Sequence, residues 1–475
     1  MLRRTRIVAT LGPATDRNGV LEKLIEAGLD VARINFSHGT GEEHVRRIRQ
    51  LREIARSLGR TVAVLADLPG PKLRVLTSQP MELTLGRVVT VALKPGAEAD
   101  IRLTEPDALA KIKTGQRVLL DDGRLQAKVG HVTSESAALT ITVAGALLPN
   151  KGINLPDTEL NIPAVTKRDR EAIAVAAEAG VDWFGLSFVR NAAAAPELRG
   201  VLRGHGLEAP ILAKIERPEA VRKADEIIDA FDGVMVARGD LGVEIPLEKV
   251  PHVQKHLIHQ ARMAGKPVVT ATDMLDSMRN SPRPTRAEAS DVANAVYDGT
   301  DAVMLSGETA IGAYPVEALA CMANILREAE SHTHDDGPRN LQVPKGDLTD
   351  HLTHMTCKLA HDIHAEAIVT PTSTGRTARL IARHRPPQRI VPVCPAEDVV
   401  RQTVLTWGCQ PVPFAGPVAK GDDRMSAAVR AAFAGGQVHS GALVVVLAGH
   451  PIEGGEGFPT IRVVRVGDDG QSCEP

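Results

Sequence analysis

Aromatic side chains are scarce: Phe, Tyr and Trp make up only 2% of the 475 residues. The core must therefore be built from Val, Ile, Leu and Ala, which suits parallel strands buried under helices. Cysteine is scarce too. Cys321, Cys357, Cys394, Cys409 and Cys473 lie far apart with no CxxC pair, against a disulfide framework and against a zinc site. Neither sign of charge dominates, since 56 basic and 58 acidic residues leave a net charge of −2. A nucleic-acid partner is not expected. No apolar run approaches the length of a membrane span. The basic start Met1-Leu2-Arg3-Arg4-Thr5-Arg6 meets only Ile7-Val8-Ala9-Thr10 before Gly12-Pro13, too short for a signal peptide. A soluble cytoplasmic protein is the expectation, with no membrane partner. Absent as well are the GxxxxGK[ST] phosphate loop and a GxGxxG following a strand, so neither nucleotide-binding motif has support.

What is present is a repeated phrase. Helical segments end in Ala-Gly or Asp-Gly and an apolar strand follows at once, as in Glu26-Ala-Gly-Leu-Asp-Val-Ala-Arg-Ile, Glu178-Ala-Gly-Val-Asp-Trp-Phe-Gly-Leu and Asp298-Gly-Thr-Asp-Ala-Val-Met-Leu. Glycine just past a helix supplies the left-handed cap, and the apolar run reads as a buried strand. The strands expected are Ile7–Thr10, Val31–Asn35, Val62–Asp67, Trp183–Ser187, Ile211–Ile215, Gly233–Ala237, Pro267–Ala271 and Ala302–Ser306. Helical patterns alternate with them: Val20–Ala27, Glu42–Leu58, Arg168–Ala179, Pro196–Arg203, Pro218–Ala230, Leu247–Ala264, Arg286–Val296 and Pro315–Ala329. Eight such units have the size of a (β/α)8 TIM barrel. A doubly wound open sheet is the alternative. It is the weaker one, because polar residues cluster at the C-terminal ends of nearly all eight strands.

Two regions stand outside that count. Residues 71–161 change to short alternating segments such as Arg87–Leu93 and Ala138–Val143, punctuated by Pro95-Gly96, Asp122-Gly123 and Pro149-Asn150. This reads as an inserted small β-barrel cap domain. Beyond a polar linker starting near His332, residues 338–475 read as a C-terminal α/β domain with strands Ala367–Thr370, Ile390–Val393, Ala442–Leu447 and Arg462–Val466. The catalytic barrel would thus comprise residues 1–70 and 162–337.

The strand ends carry the chemistry. They deliver Arg33, Asn35 and Ser37, then Asp67, then Lys214 and Glu216, then Arg238, Gly239 and Asp240, then Thr272, and finally Ser306 and Glu308. In a barrel these converge on one mouth. Glu216 and Asp240 on adjacent strands suit a hard divalent cation such as Mg2+, with Mn2+ as a substitute. Strand alternation puts Lys214 on the same face as Glu216, where an ammonium can stabilise a transferring phosphoryl group or an enolate. Arg33 offers a fork for phosphate oxygens. The implied chemistry is phosphoryl or enolate chemistry.

The phrases around these residues resemble the pyruvate kinase family: Ala32-Arg-Ile-Asn-Phe-Ser-His-Gly, Ala213-Lys-Ile-Glu-Arg-Pro, Met235-Val-Ala-Arg-Gly-Asp-Leu-Gly-Val-Glu, Ser281-Pro-Arg-Pro-Thr-Arg-Ala-Glu and Asp301-Ala-Val-Met-Leu-Ser-Gly-Glu-Thr-Ala. The resemblance implies phosphoryl transfer from phosphoenolpyruvate to ADP, a barrel with β cap and C-terminal domain, and a homotetramer. It implies that Lys214 stabilises the transition state and that Glu216 and Asp240 bind Mg2+. Gly239, Asp240 and Thr272 would position the substrate carboxylate, and Arg33 would grip the phosphate. Asn35, Phe36, Ser37, His38, Arg74 and Arg168 would approach the nucleotide. Thr272 and Ser306 would order a water relay for the enolate's proton.

Departures from the family pattern matter as much. Many members read Asp-Thr-Lys-Gly-Pro-Glu-Ile-Arg after the third strand and require K+, whereas this chain reads Asp67-Leu-Pro-Gly-Pro-Lys-Leu-Arg. A Lys72 ammonium beside Asp67 can supply the charge of K+ in the region of Asn35, Ser37, Asp67 and Lys72. K+-independent activity is expected. Asp273 stands where the family usually has glutamine. In the C-terminal domain Thr372-Ser373-Thr374-Gly375-Arg376-Thr377 reads as a phosphate nest for a sugar-phosphate or nucleotide effector, or as a plain helix cap faced by an acidic loop at 449–456. Histidines 351, 354, 361 and 364 carry no carboxylate or cysteine in a metal-ligand pattern. Two other functions compete: a Mg2+-dependent aldolase or lyase acting through a pyruvate enolate, and a metabolite-binding regulator without catalysis.

Overall fold

The computed structural model describes residues 3–160, 162–333, 348–414, 424–448 and 459–474. Eight parallel strands close into a barrel: Arg6–Thr10, Val31–Asn35, Ala63–Asp67, Trp183–Leu186, Ile211–Ile215, Gly233–Ala237, Val268–Ala271 and Ala302–Leu305. The last pairs with the first, Arg6 opposite Ala302 and Ala9 opposite Leu305. Closure rules out the open sheet. Expected and observed strands agree to within a residue at either end.

The helices follow from local chemistry. Capping boxes start three of them, Thr40 with Glu43, Thr166 with Asp169 and Thr285 with Glu288. In each, hydroxyl and carboxylate satisfy backbone N–H groups that the helix itself leaves open. The repeated glycine does what the sequence implied. Gly28, Gly180 and Gly299 cap helices with φ of 110°, 71° and 94°, a region that L side chains avoid. Two expected helices are broken. Pro218–Ala230 splits into Pro218–Arg222 and Ala224–Ala230 around Lys223, whose φ of −111° and ψ of 24° are not helical. Leu247–Ala264 begins as a 3-10 turn, Leu247–Lys249, before the helix Val250–Met263, because Pro251 has no N–H to continue a chain of bonds. Two short helices were not foreseen, Arg238–Glu244 and Gly307–Ala310, each directly after a strand end.

The inserted region holds a five-stranded antiparallel sheet in the order Ile153–Asn154, Arg117–Leu120, Leu125–Val132, Ser136–Val143, Val88–Ala92, with two small two-stranded sheets beside it. Alternation of burial along Leu125–Val132 fits a sheet with one apolar face. A separate core of Leu, Val, Ile and Ala fills it. The C-terminal region is a six-stranded sheet centred on Ala367–Pro371, with Arg389–Cys394 on one side and Leu443–Ala448 on the other. The boundary expected near residue 337 and the acidic loop 449–456 fall outside the described residues.

One contact positions the whole. The barrel interior is lined by Val8, Val31, Leu65, Trp183, Leu212, Met235 and Met304, and Val404 and Leu405 of the C-terminal region belong to the same cluster. They plug the N-terminal end of the barrel. Around the plug, Trp183 Nε1 donates to the Gln402 carbonyl at 3.0 Å and Arg401 pairs with Asp182 at 2.7 Å. The guanidinium groups of Arg385 and Arg4 both lie over the Trp407 ring, 4.8 and 5.6 Å from its centre. The opposite, C-terminal end of the barrel remains for chemistry. Leu65→Ala, which opens a hole at the centre of this cluster, is expected to cost about 2–5 kcal/mol, read as a fall in the urea midpoint of barrel unfolding.

Candidate functional site

The mouth is organised by alternation along two strands. In Ile211–Ile215 and Ala63–Asp67 the side chains of Lys214 and Asp67 both turn inward, and their Nζ and Oδ1 atoms lie 3.0 Å apart. Lys214 Nζ also lies 3.0 Å from Glu216 Oε1 and donates to Ser187 Oγ at 2.7 Å. Asp67 Oδ2 in turn receives Arg33, with Nε at 2.7 Å and Nη2 at 2.6 Å. Arg33 Nη1 donates to Thr10 Oγ1 at 2.9 Å. All four charged groups are buried, Glu216 and Asp67 to within 1% exposure.

Two cationic and two acidic side chains thus form one buried cluster. Burial pulls the Lys214 pKa down, yet Asp67 and Glu216 more than reverse it, so the ammonium stays charged well above the ordinary lysine range. For Glu216 the balance tips the other way. Burial pushes its carboxyl up to about 7, with nearby Asp240 adding to the rise and Lys214 opposing it. Glu216 Oε2 accepts the Phe188 N–H at 2.7 Å, while no hydrogen-bond donor is aligned on Oε1. A carboxylate with an open lone pair, an acidic neighbour and a raised pKa is one that a divalent cation would relieve.

Asp240 sits in the first turn of Arg238–Glu244, the short helix that follows the sixth strand. It is partly exposed, and its field reaches both Lys214 and Glu216. Beside it, the Gly239 N–H donates to Thr272 Oγ1 at 2.6 Å, and that hydroxyl donates to the Ala271 carbonyl at 2.6 Å. The fit at Gly239 is tight, since a Cβ there would lie 3.3 Å from Thr272 Oγ1. Ser306, at the end of the eighth strand, has a buried hydroxyl with no partner. Its N–H is held by Glu308 Oε2 at 2.7 Å. Lys214, Glu216, Asp67, Arg33 and Asp240 therefore share one electrostatic environment, with Gly239 and Thr272 adjoining it through Asp240's helix.

The residues expected at the nucleotide form a second group at the same mouth. Asn35 Oδ1 accepts the Ser37 N–H at 3.0 Å, and Arg168 Nη2 donates to the Ser37 carbonyl at 2.9 Å. Phe36 packs on the His44 ring at 4.5 Å. Arg74 Nη1 reaches the Asn150 carbonyl at 2.8 Å. The His38 imidazole is held below its ordinary pKa by partial burial and by the positive fields of Arg74, Arg168, Arg33 and Lys72. Four cations crowd one neutral histidine, a surface that favours a polyphosphate.

Lys72 departs from expectation. Its Nζ lies 3.4 Å from Asp122 of the inserted region and 3.9 Å from Asp240. Among the described residues the ion partners of Asp67 are Arg33 and Lys214, not Lys72. The lysine is held by Asp122, near the tip of the inserted sheet, whose approach to the mouth depends on tertiary packing. Thr372–Thr377 lies far along the chain in the C-terminal region: Gly375, with φ of 73°, precedes the helix Arg376–Ala382, and Arg379 Nη1 donates to the Thr374 carbonyl at 2.9 Å. Ser187 was missed as a site residue, although its place at a strand end was the available signal. So were Arg217 and Glu244, a buried pair at 3.3 Å.

Family models described as "Pyruvate kinase, barrel domain" and "Pyruvate kinase, alpha/beta domain" match residues 2–319 and 350–464. The chain is 44% identical over 478 residues to a pyruvate kinase of Geobacillus stearothermophilus, covering 99% of this chain and 81% of that one. It is 41% identical to that of Staphylococcus aureus strain MRSA252, covering 98% and 81%. The crystal structure of a pyruvate kinase from Cryptosporidium parvum superposes with a TM-score of 0.87 at 33% identity, covering 98% of this chain and 96% of that one. Among the described residues no helix is long and apolar enough to cross a membrane.

The raised Glu216 pKa has a measurable sign. The folded chain holds this proton up to about pH 7, above the ordinary value of 4.5, so the folded state loses stability as pH rises through that window. Removing the charge removes the loss. The melting temperature of Glu216→Gln, measured without metal, is expected to gain on that of the unsubstituted chain from about pH 4.5 to about 7 and to level off beyond. A difference that stays flat across this range contradicts the burial described here.

Proposed function

The chain belongs to the pyruvate kinase family, and from that membership we infer how its own residues move a phosphoryl group from phosphoenolpyruvate to ADP. It is a phosphotransferase; the aldolase or lyase alternative is not favoured. The observation that carries the residue assignment is the Lys214 ammonium held 3.0 Å from both Asp67 and Glu216.

Glu216 and Asp240 would hold Mg2+, or Mn2+ in its place. When bound, the ion supplies a Lewis acid that offsets the charge of the substrate carboxylate and phosphate. Lys214 stays protonated throughout and faces the phosphoryl oxygens, where negative charge concentrates as the bond to phosphorus loosens. Arg33, held by Asp67 and Thr10, presents its guanidinium to the same phosphate. Gly239 and Thr272 orient the substrate carboxylate. The cations around His38, namely Arg74 and Arg168 with Asn35, Phe36 and Ser37 beneath them, seat the ADP polyphosphate. The phosphorus–oxygen bond to the enolate breaks as the bond to the terminal ADP oxygen forms. The enolate left behind then takes a proton at its methylene carbon through water ordered by Thr272 and Ser306.

We assign residues 1–70 and 162–337 to the catalytic barrel, 71–161 to the cap and 338–475 to a regulatory domain. Thr372–Thr377 is the candidate for a sugar-phosphate or nucleotide effector, supported by a left-handed Gly375 that opens a turn of N–H groups. A cytoplasmic homotetramer without membrane or nucleic-acid partners fits the family. K+ independence follows from a different contact than Lys72 with Asp67. The Lys72 ammonium lies 3.9 Å from Asp240 rather than on Asp67, so it adds its positive charge on the metal side of the site.

Steady-state ATP formation from phosphoenolpyruvate and ADP with Mg2+ tests the assignment. Lys214→Met is expected to lower kcat by about 10²- to 10³-fold while circular dichroism is unchanged; unaltered turnover would overturn the role given to Lys214. Turnover in K+-free buffer is expected to change little on adding KCl, and a many-fold rise would sink the Lys72 argument.

A further inference from the structure

We propose that Glu244 is a positioning residue through which the cap sets the spacing of Glu216 and Asp240. The inference rests on the reading that those two carboxylates hold the divalent ion. Glu244 ends the same short helix, Arg238–Glu244, whose first turn carries Asp240. Its Oε1 accepts Asn154 Nδ2 at 2.7 Å and lies 3.3 Å from Arg217 Nη1. Asn154 belongs to the cap strand Ile153–Asn154. Arg217 is the residue directly after Glu216, and its Nη2 donates to the cap carbonyl of Leu155 at 3.0 Å. Three segments therefore meet at one carboxylate: the chain that delivers the first metal ligand, the helix that delivers the second, and the edge of the cap.

Burial makes this junction exacting. Glu244 is 1% exposed, Arg217 3% and Asn154 8%. A carboxylate in such surroundings costs stability unless its partners are in place, and an apolar side chain would fill the space more cheaply. The arrangement has a specific geometry instead, because the Glu244 and Arg217 groups hold only while helix and strand end keep their separation. Lys72 repeats the pattern at the other end of the helix, between Asp122 of the cap and Asp240. The short helix is thus tied to the cap at both ends. A shift of the cap moves the helix, and with it Asp240 relative to Glu216.

Hydrogen-bonding partners behind metal ligands commonly change metal affinity by about 10- to 100-fold when removed. Asn154→Ala and Glu244→Gln are each expected to weaken Mn2+ binding roughly tenfold, read directly as free Mn2+ by electron paramagnetic resonance on the full chain. In turnover, the Mg2+ midpoint should move by a similar factor, with a smaller change in kcat. Glu244→Asp, which keeps the charge but shortens the reach, should fall between Glu244→Gln and the unsubstituted chain. Should Glu244→Gln fail to fold, Asn154→Ala in the cap decides alone, with its melting temperature as the folding control. Glu216→Gln and Asp240→Asn separate the two ideas. If these bind Mn2+ normally, the metal assignment fails and this inference with it. If they lose Mn2+ while Asn154→Ala and Glu244→Gln bind it as the unsubstituted chain does, only the positioning role is overturned.

Discussion

A lysine ammonium buried between two carboxylates governs this molecule. Lys214 stays protonated while Asp67 and Glu216 face it, and its charge opposes the rise that burial imposes on both carboxyls. Arg33 completes the set by occupying the second oxygen of Asp67. With Glu216 ionised, the two cations and two carboxylates balance, which limits the cost of burying them. The cluster can still take a cation, since Glu216 Oε1 meets Lys214 only as an ion pair without an aligned hydrogen bond and Asp240 stands at its edge. A neutral cluster with unspent acceptors can take a dication and a polyanionic substrate together without burying an unbalanced charge.

The fold supplies what that cluster needs by dividing the barrel into two ends. At the N-terminal end Val404 and Leu405 close the interior against the strand residues Val8, Leu65 and Met235. Trp183 and Asp182 anchor the segment that carries the plug. This apolar end holds the strands in fixed register, so that their opposite ends present charged side chains at distances set by the backbone rather than by flexible stems. The charged end would be a liability in an open sheet. In a closed barrel the strand ends face a common interior, and Asp67 finds its cations on the adjacent second strand and on the fifth, one strand beyond the adjacent fourth.

Most of this was legible because it is periodic. Ala-Gly or Asp-Gly followed by an apolar run appears in the sequence as a physical device, and Gly28, Gly180 and Gly299 adopt the conformation it requires. Lys214 and Glu216 were legible because alternation forces them to one face. What escaped depends on partners far apart in the chain. Nothing local indicates that Lys72 meets Asp122 and Asp240, or that Arg217, Glu244 and Asn154 converge. Pro218–Ala230 looked continuous because its apolar spacing survives the break at Lys223. Ser187 carries no signal beyond its place at a strand end, yet its hydroxyl accepts a hydrogen bond from the Lys214 ammonium at 2.7 Å and donates to the Leu68 carbonyl at 2.8 Å.

Strain marks the same mouth. Phe188, Thr272 and Asp273 all have positive φ, at 55°, 70° and 53°. For a β-branched residue such as Thr272 this is a costly conformation, of order 1–3 kcal/mol, and it needs external support. Arg238 provides it, donating to the carbonyls of Ala271 and Thr272 at 3.3 and 2.7 Å while Asp291 holds its guanidinium at 2.7 Å. The Gly239 N–H fixes the Thr272 hydroxyl from the other side. At Phe188 the backbone turns so that its N–H meets Glu216, which makes the strain there part of how the carboxylate is aimed. A relaxed backbone at either place would release the threonine hydroxyl or rotate the glutamate. At these two places the strain serves to aim donors and acceptors.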